Sequence, residues 1–138
     1  MNLARATGAM LLALAPALAA AASPFDGFWM KVNADKSLDP GSQVEFHVEK
    51  NILTMATPAG QGYRARLDGT DSPVANDTST TSVSVKLDGK NTFVETAKLD
   101  GKAWLVTTME VQADGKTAKV TWKNLKNNAS GSYVLSKQ

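Results

Sequence analysis

The sequence contains no cysteine and a single histidine, His47. The first absence excludes disulfides, thiol nucleophiles and thiolate-ligated metals. The second leaves nothing to join His47 in a zinc site, which takes three or four ligands. A Ser–His–Asp arrangement would rest on His47 alone, and no G-x-S-x-G sequence supplies its nucleophile. An excess of either charge is also missing. The 15 basic and 13 acidic residues leave +2, which gives no reason to expect nucleic acid or an anionic membrane as partner. No glycine loop could cradle a phosphate, and no cofactor is implied. Beyond residue 23, sustained apolar spacing at i, i+3, i+4 is absent. The one helical turn the sequence suggests is Ala34-Asp35-Lys36-Ser37. At 138 residues there is room for one domain.

What is present is unevenly spread. Of the first 22 residues 17 are hydrophobic, against 42 of the remaining 116. The opening stretch carries one charge, Arg5, then Met10-Leu11-Leu12-Ala13-Leu14-Ala15, Pro16 and an alanine-rich tail. That order is the layout of a secretory signal. The cut fits best after Ala20-Ala21-Ala22, before Ser23, and next best after Ala17-Leu18-Ala19. A membrane anchor is the alternative, but the apolar core is short for a bilayer span and Pro16 interrupts it. No cysteine follows the cut to carry a lipid. The expectation is a bacterial-type signal peptide over 1–22, a single domain over 23–138, and a periplasmic or secreted protein with no membrane insertion after cleavage.

The domain reads as strands. Val44, Phe46 and Val48 alternate with Glu45, His47 and Glu49; Val83, Val85 and Leu87 alternate with Ser82, Ser84 and Lys86; Ala118, Val120 and Trp122 alternate with Lys119, Thr121 and Lys123. Period two means one buried and one wet face. Trp122 therefore points away from Lys119 and Lys123, unlike a nucleic-acid surface that interleaves rings and cations. The expected strands are 27–33, 43–50, 52–57, 61–68, 81–88, 91–99, 102–112, 117–125 and 131–137, with 34–42 and 69–80 irregular. Between them lie Leu-Asp-Gly at 67–69, 87–89 and 99–101 and Ala-Asp-Gly at 113–115. Asp-Gly suits the two positive φ angles of a type I′ hairpin turn. Long strands joined by tight turns make a meander, and closing it removes the exposed edges. The expected fold is all-β, an up-and-down antiparallel β-barrel of about 8–10 strands. A two-sheet β-sandwich is the alternative.

Gly27-Phe28-Trp29 opens the first strand, followed by Asp35-Lys36-Ser37 and Pro40-Gly41. A Gly-x-Trp at the start of a meander barrel resembles the calycin group of lipocalins, fatty-acid-binding proteins and avidins. The whole pattern resembles small exported bacterial lipocalin-like proteins. The resemblance implies a barrel with a ligand-binding interior. In lipocalins an arginine near the last strand packs on the Gly-x-Trp ring. The last strand here, Ser130 to Gln138, has no arginine and carries Lys137.

The candidate barrel lining is Trp29, Phe46, Met55, Glu95, Trp104, Thr108, Trp122 and Tyr133. Val85, Val106 and Val120 are expected to face inward with them. Such residues either fill a small barrel or line a pocket. Glu95 and Glu110 are the two acids that interrupt apolar strand faces, and inside one cavity they could act as an acid–base pair. Against that, Leu105, Thr107, Met109 and Val111 form an equally apolar opposite face to Trp104, Val106, Thr108 and Glu110. His47 lies among glutamates on the wet face, as a surface residue. Asp68-Gly69-Thr70-Asp71 slightly resembles a calcium loop but lacks its spaced ligands, so a turn explains it better. The leading expectation is a non-enzymatic exported barrel that binds a small apolar or amphipathic ligand, its mouth covered by 69–80. The alternatives are a protein-interaction or inhibitor module with a packed core, and an enzyme using Glu95 and Glu110.

Overall fold

The computed structural model describes residues 22–138. The expected export segment, its last residue apart, lies outside the described residues. Ten strands follow in order: β1 Gly27–Val32, β2 Leu38–Glu49, β3 Ile52–Ala56, β4 Gly62–Arg66, β5 Asp68–Ala75, β6 Ser82–Leu87, β7 Thr92–Leu99, β8 Lys102–Val111, β9 Thr117–Asn124 and β10 Ser130–Lys137. Each pairs antiparallel with its sequence neighbours, and β1 also pairs with β10, so the sheet closes. The fold is the expected up-and-down barrel, and the sandwich is not formed.

Four local expectations change, the first being that residues 38–42, expected to be irregular, open strand β2. Residues 34–37 form a turn, not a helical one: Asn33 N donates to Ser37 O at 2.8 Å and Lys36 takes φ 71°. Residues 69–75, expected to be irregular, belong with Asp68 to strand β5. Asp68, Gly69, Asp71 and Pro73 are poor strand formers, and the ladder around them is sparse. β5 meets β4 only at Gly62↔Ala75 and Tyr63↔Val74, and its register with β6 breaks between Asp68 and Asp71. The Asp-Gly turns also differ among themselves. Only Asp100-Gly101 places both residues at positive φ, 50° and 83°. Lys50-Asn51 does the same without a glycine, at 50° and 64°. At 88–89 and 114–115 only the glycine is positive. At 114–115 the aspartate has other work: Asp114 Oδ1 accepts from Lys116 N and Thr117 N, both at 2.9 Å. Asp68 Oδ1 likewise accepts from Thr70 N at 3.0 Å, at the start of β5 where its register with β6 breaks.

The register decides which face of β8 is inside. Phe93 pairs with Met109, Glu95 with Thr107 and Ala97 with Leu105. Directly opposed residues share a face, so Leu105, Thr107, Met109 and Val111 point inward. Val106, Thr108 and Glu110 point out, the reverse of the expected frame. A bulge between Ala97 and Lys98 then shifts the pairing, so that Lys98 faces Ala103. Trp104 sits in that bulge, and a bulge re-aims side chains. It packs against the core although its neighbour Leu105 does too.

The core fills one end of the barrel. Trp29, Leu53, Ala65, Val85 and Ala118 are wholly buried, and Phe25, Phe93, Met109 and Val111 nearly so. This end carries the start of β1, the end of β10 and the turns at 50–51, 88–91 and 112–116. The opposite end carries the connections 33–37, 57–61, 76–81, 100–101 and 125–129.

Candidate functional site

The filled end is stoppered by residues before β1. Ser23 to Asp26 form a tight turn with Asp26 N donating to Ser23 O at 3.1 Å. The turn sends Phe25 under the barrel, where its ring meets Phe93 edge-on at 5.0 Å, and Phe93 meets Phe46 edge-on at 5.5 Å. Trp29 Nε1 donates to Phe25 O at 2.9 Å, and Asp26 Oδ1 accepts from Val48 N at 2.7 Å. Lys137 comes from the last strand. Its Nζ lies 5.0 Å from the Trp29 ring centroid and donates to Pro24 O at 3.3 Å. The last strand thus places a cation on the face of the Gly-x-Trp ring. Trp29 fills this end.

Above that floor the barrel is not full. A cavity of about 390 Å³ is lined by Phe46, Met55, Phe93, Met109, Val120 and Leu135 as its apolar wall, and by Lys31, Ser42, Thr57, Glu95, Thr107 and Tyr133 as its polar one. A second space of about 340 Å³ lies beneath the 57–61 and 76–81 connections, with Tyr63, Val74, Thr80, Val83, Trp104 and Leu105 around it. Met55 and Glu95 belong to both, and separate the two lobes. The expected cover over 69–80 reduces to its last residues. Asp77, Ser79 and Thr80 line the second lobe, while 68–75 are part of the wall.

Glu95 is the chemical centre of this interior. It stands mid-strand in β7 between Val85 and Thr107. The Tyr63 hydroxyl donates to its Oε2. Burial pushes the Glu95 carboxyl above its ordinary value, and the Tyr63 bond opposes that rise. Tyr63 itself is pushed well up by burial and by the neighbouring Glu95 charge, and Tyr133 is raised for the same two reasons. Lys31 Nζ lies 5.5 Å from the Tyr133 ring centroid on the first lobe's wall. Two buried side-chain atoms among the described residues have no hydrogen-bond partner, Thr57 Oγ1 and Trp104 Nε1. Each belongs to a residue that lines a lobe.

Of the expected lining, Phe46, Met55, Glu95, Trp104 and Tyr133 converge on the two lobes. Trp29, Thr108 and Trp122 do not. Thr108 pairs with Val94 and Thr121 on the outer face. Trp122 has inward parity but lies flat on Gly131 of β10, where an added Cβ would come within 2.7 Å of its ring. Glu110 is exposed on the outer face, so Glu95 and Glu110 are not brought together. His47 is also outside. Its Nδ1 is 3.7 Å from Asp26 Oδ1 and its Nε2 3.8 Å from Glu49 Oε2.

Sequence reasoning missed Lys31, Tyr63 and Thr107. The first two were within reach of the period-two rule. Lys31 shares parity with Trp29, and Tyr63, Ala65 and Leu67 alternate with Arg64 and Arg66. A charge and a hydroxyl were not recognised as inward-facing members of those faces. Comparison with protein-family models, with curated proteins and with solved structures finds no match to this chain.

Proposed function

We propose that this chain is an exported, lipocalin-like, non-enzymatic barrel that binds a small amphipathic molecule in its interior. The observation that carries the reading is the 390 Å³ first lobe. Ligand pockets commonly span about 300–1,000 Å³, with mostly apolar walls and a few convergent polar groups. Here Phe46, Phe93, Met109, Val120 and Leu135 would hold an apolar body. Glu95, Tyr133 and Thr107 would orient a polar group, and Lys31 lies within the same wall.

The test is a thermal-shift and tryptophan-fluorescence screen with fatty acids, long-chain alcohols, alkyl amines and aromatic alcohols. A binder at a hundred times its Kd raises stability by about 2.7 kcal/mol. Thr107→Trp, which fills the first lobe, abolishes that shift. A panel without a single shift, or a shift that survives the filled lobe, refutes the reading.

One observation favours a second reading, an interaction module. Val134, Val32 and Leu38 are directly opposed across β10, β1 and β2 on the outer face. Val134 is 42% exposed and Leu38 41%. A protein partner would cover this row and leave the interior empty. Val32→Lys would abolish such an association and leave ligand shifts intact.

A further inference from the structure

We infer that Asp26 is a receptor site for the chain's own processed N-terminus, the α-ammonium group released at Ser23. The inference rests on the export reading for the cut, but the site itself is part of the fold. Ser23 N lies 3.1 Å from Asp26 Oδ2. The same turn is closed by Asp26 N on Ser23 O, and Ser23 Oγ accepts from Phe25 N at 3.3 Å. The carboxylate is 23% exposed and held from the other side by Val48 N. Phe25 lies between donor and acceptor in the chain and is 2% exposed. The buried Phe25 and the Asp26 N bond to Ser23 O hold the turn, and so keep Ser23 N beside the carboxylate.

In the uncut chain Ser23 N carries one amide proton, and Asp26 receives a neutral donor. Hydrolysis of the Ala22–Ser23 peptide bond adds the hydroxyl of water to the Ala22 carbonyl and its hydrogen to Ser23 N. The new amine takes up a further proton below its ordinary pKa of about 8. The donor at 3.1 Å is then an ammonium group, and charge-assisted hydrogen bonds are about twice as strong as neutral ones. The other charged groups around the pair are known. His47 approaches Asp26 from β2, Glu49 stands beyond His47, and Lys137 Nζ sits on Pro24 O. A cut after Ala19 would place the ammonium on Ala20 and leave a neutral amide at Ser23. Of the two cuts the sequence allows, only the one before Ser23 completes the site.

The test compares chains that begin at Ser23 with a free amine, the same chains N-acetylated, and chains that begin at Ala20, each with Asp26 and with Asp26→Asn. Asparagine keeps an acceptor for Val48 N, so the variant retains the turn. The free-amine Ser23 chain is expected to melt about 4 °C above the acetylated and Ala20 chains at pH 6.5. In Asp26→Asn the three should melt together. Equal melting of free and acetylated wild-type chains, or the same difference in both backgrounds, overturns the inference. Separately, the full 138-residue chain is expressed in a bacterial host and the envelope form is weighed by mass spectrometry. A first residue of Ser23 is expected. A first residue of Ala20 overturns the assignment of the cut. An uncut cytoplasmic chain instead removes the export reading, and the ammonium site then stands or falls on the melting comparison.

Discussion

Phe25→Ala tests whether the segment before β1 is part of the core or merely lies on it. The side chain is 2% exposed and edge-on to Phe93 at 5.0 Å. Truncating a fully buried phenylalanine costs about 3–5 kcal/mol, cavity included, and the edge-on pair contributes within that figure. A terminal segment has an escape that a core strand lacks: it can undock. The loss then cannot exceed what docking is worth. Undocking, however, also strands the Trp29 indole N–H, the Val48 N–H and the Lys137 ammonium from Phe25 O, Asp26 Oδ1 and Pro24 O. Each stranded group costs about 1 kcal/mol or more. Both routes converge on a loss of about 3 kcal/mol. At about 4 °C per kcal/mol for a domain of this size, the melting temperature falls by about 12 °C. Urea unfolding followed by tryptophan fluorescence measures the loss directly. Hydrogen exchange at the Trp29 indole separates undocking from cavity formation. A loss under about 1 kcal/mol with the Trp29 proton still protected would refute the reasoning, since the stopper would then contribute nothing to the core.

Three other expectations follow from single contacts. Lys137→Ala should lower stability by about 1–2 kcal/mol through the lost Trp29 cation contact, while Lys137→Arg should retain most of it; chemical denaturation of both variants decides. Gly131→Ala should cost about 1–3 kcal/mol and shift Trp122 emission, because the new methyl group would overlap the ring at 2.7 Å. Glu95 sets a pH dependence. Its folded carboxyl holds a proton more tightly than the unfolded one, because burial raises it. Its stabilising contribution is therefore complete below the ordinary carboxylate range and lost as pH rises through the raised folded value. Glu95→Gln removes that loss, so the variant should gain on the wild type between pH 4 and pH 8, and a parallel pair of stability–pH curves would contradict it.

Much of the barrel was legible because a half-buried strand announces itself at period two. Val83, Val85 and Phe46 fall inside as the alternation requires. β8 was not legible in the same way. Both its faces are apolar, and only the pairing with Phe93 and Ala97 chooses between them. That choice placed Thr107 inside and sent Thr108, Val106 and Glu110 out. β5 was hidden for a different reason. Its residues have poor strand propensity and are held by neighbours, a tertiary effect that local sequence does not carry. Tryptophan count also misled. Trp29, Trp104 and Trp122 look equivalent in sequence, yet one fills the floor, one lines the upper lobe and one covers a glycine. Whether inward residues fill or line a barrel depends on volumes summed around the ring, and no single strand contains that sum.

The seam that closes the ring joins the first strand to the last. Trp29 opposes Lys137, and Gln138 N donates to Phe28 O at 2.8 Å. Every other pairing in the sheet is between neighbours in sequence. Hairpins can therefore form one by one as the chain emerges, each closing a short loop at modest entropic cost. The ring itself waits for β10. Until they arrive, β1 and β9 are both open edges and Lys137 is not yet on Trp29. Nine strands can pair locally, whereas closure needs a contact between residues more than a hundred positions apart, so closure is expected to be the slow step. A chain shortened by its final strand should gather the hairpins and never become a barrel.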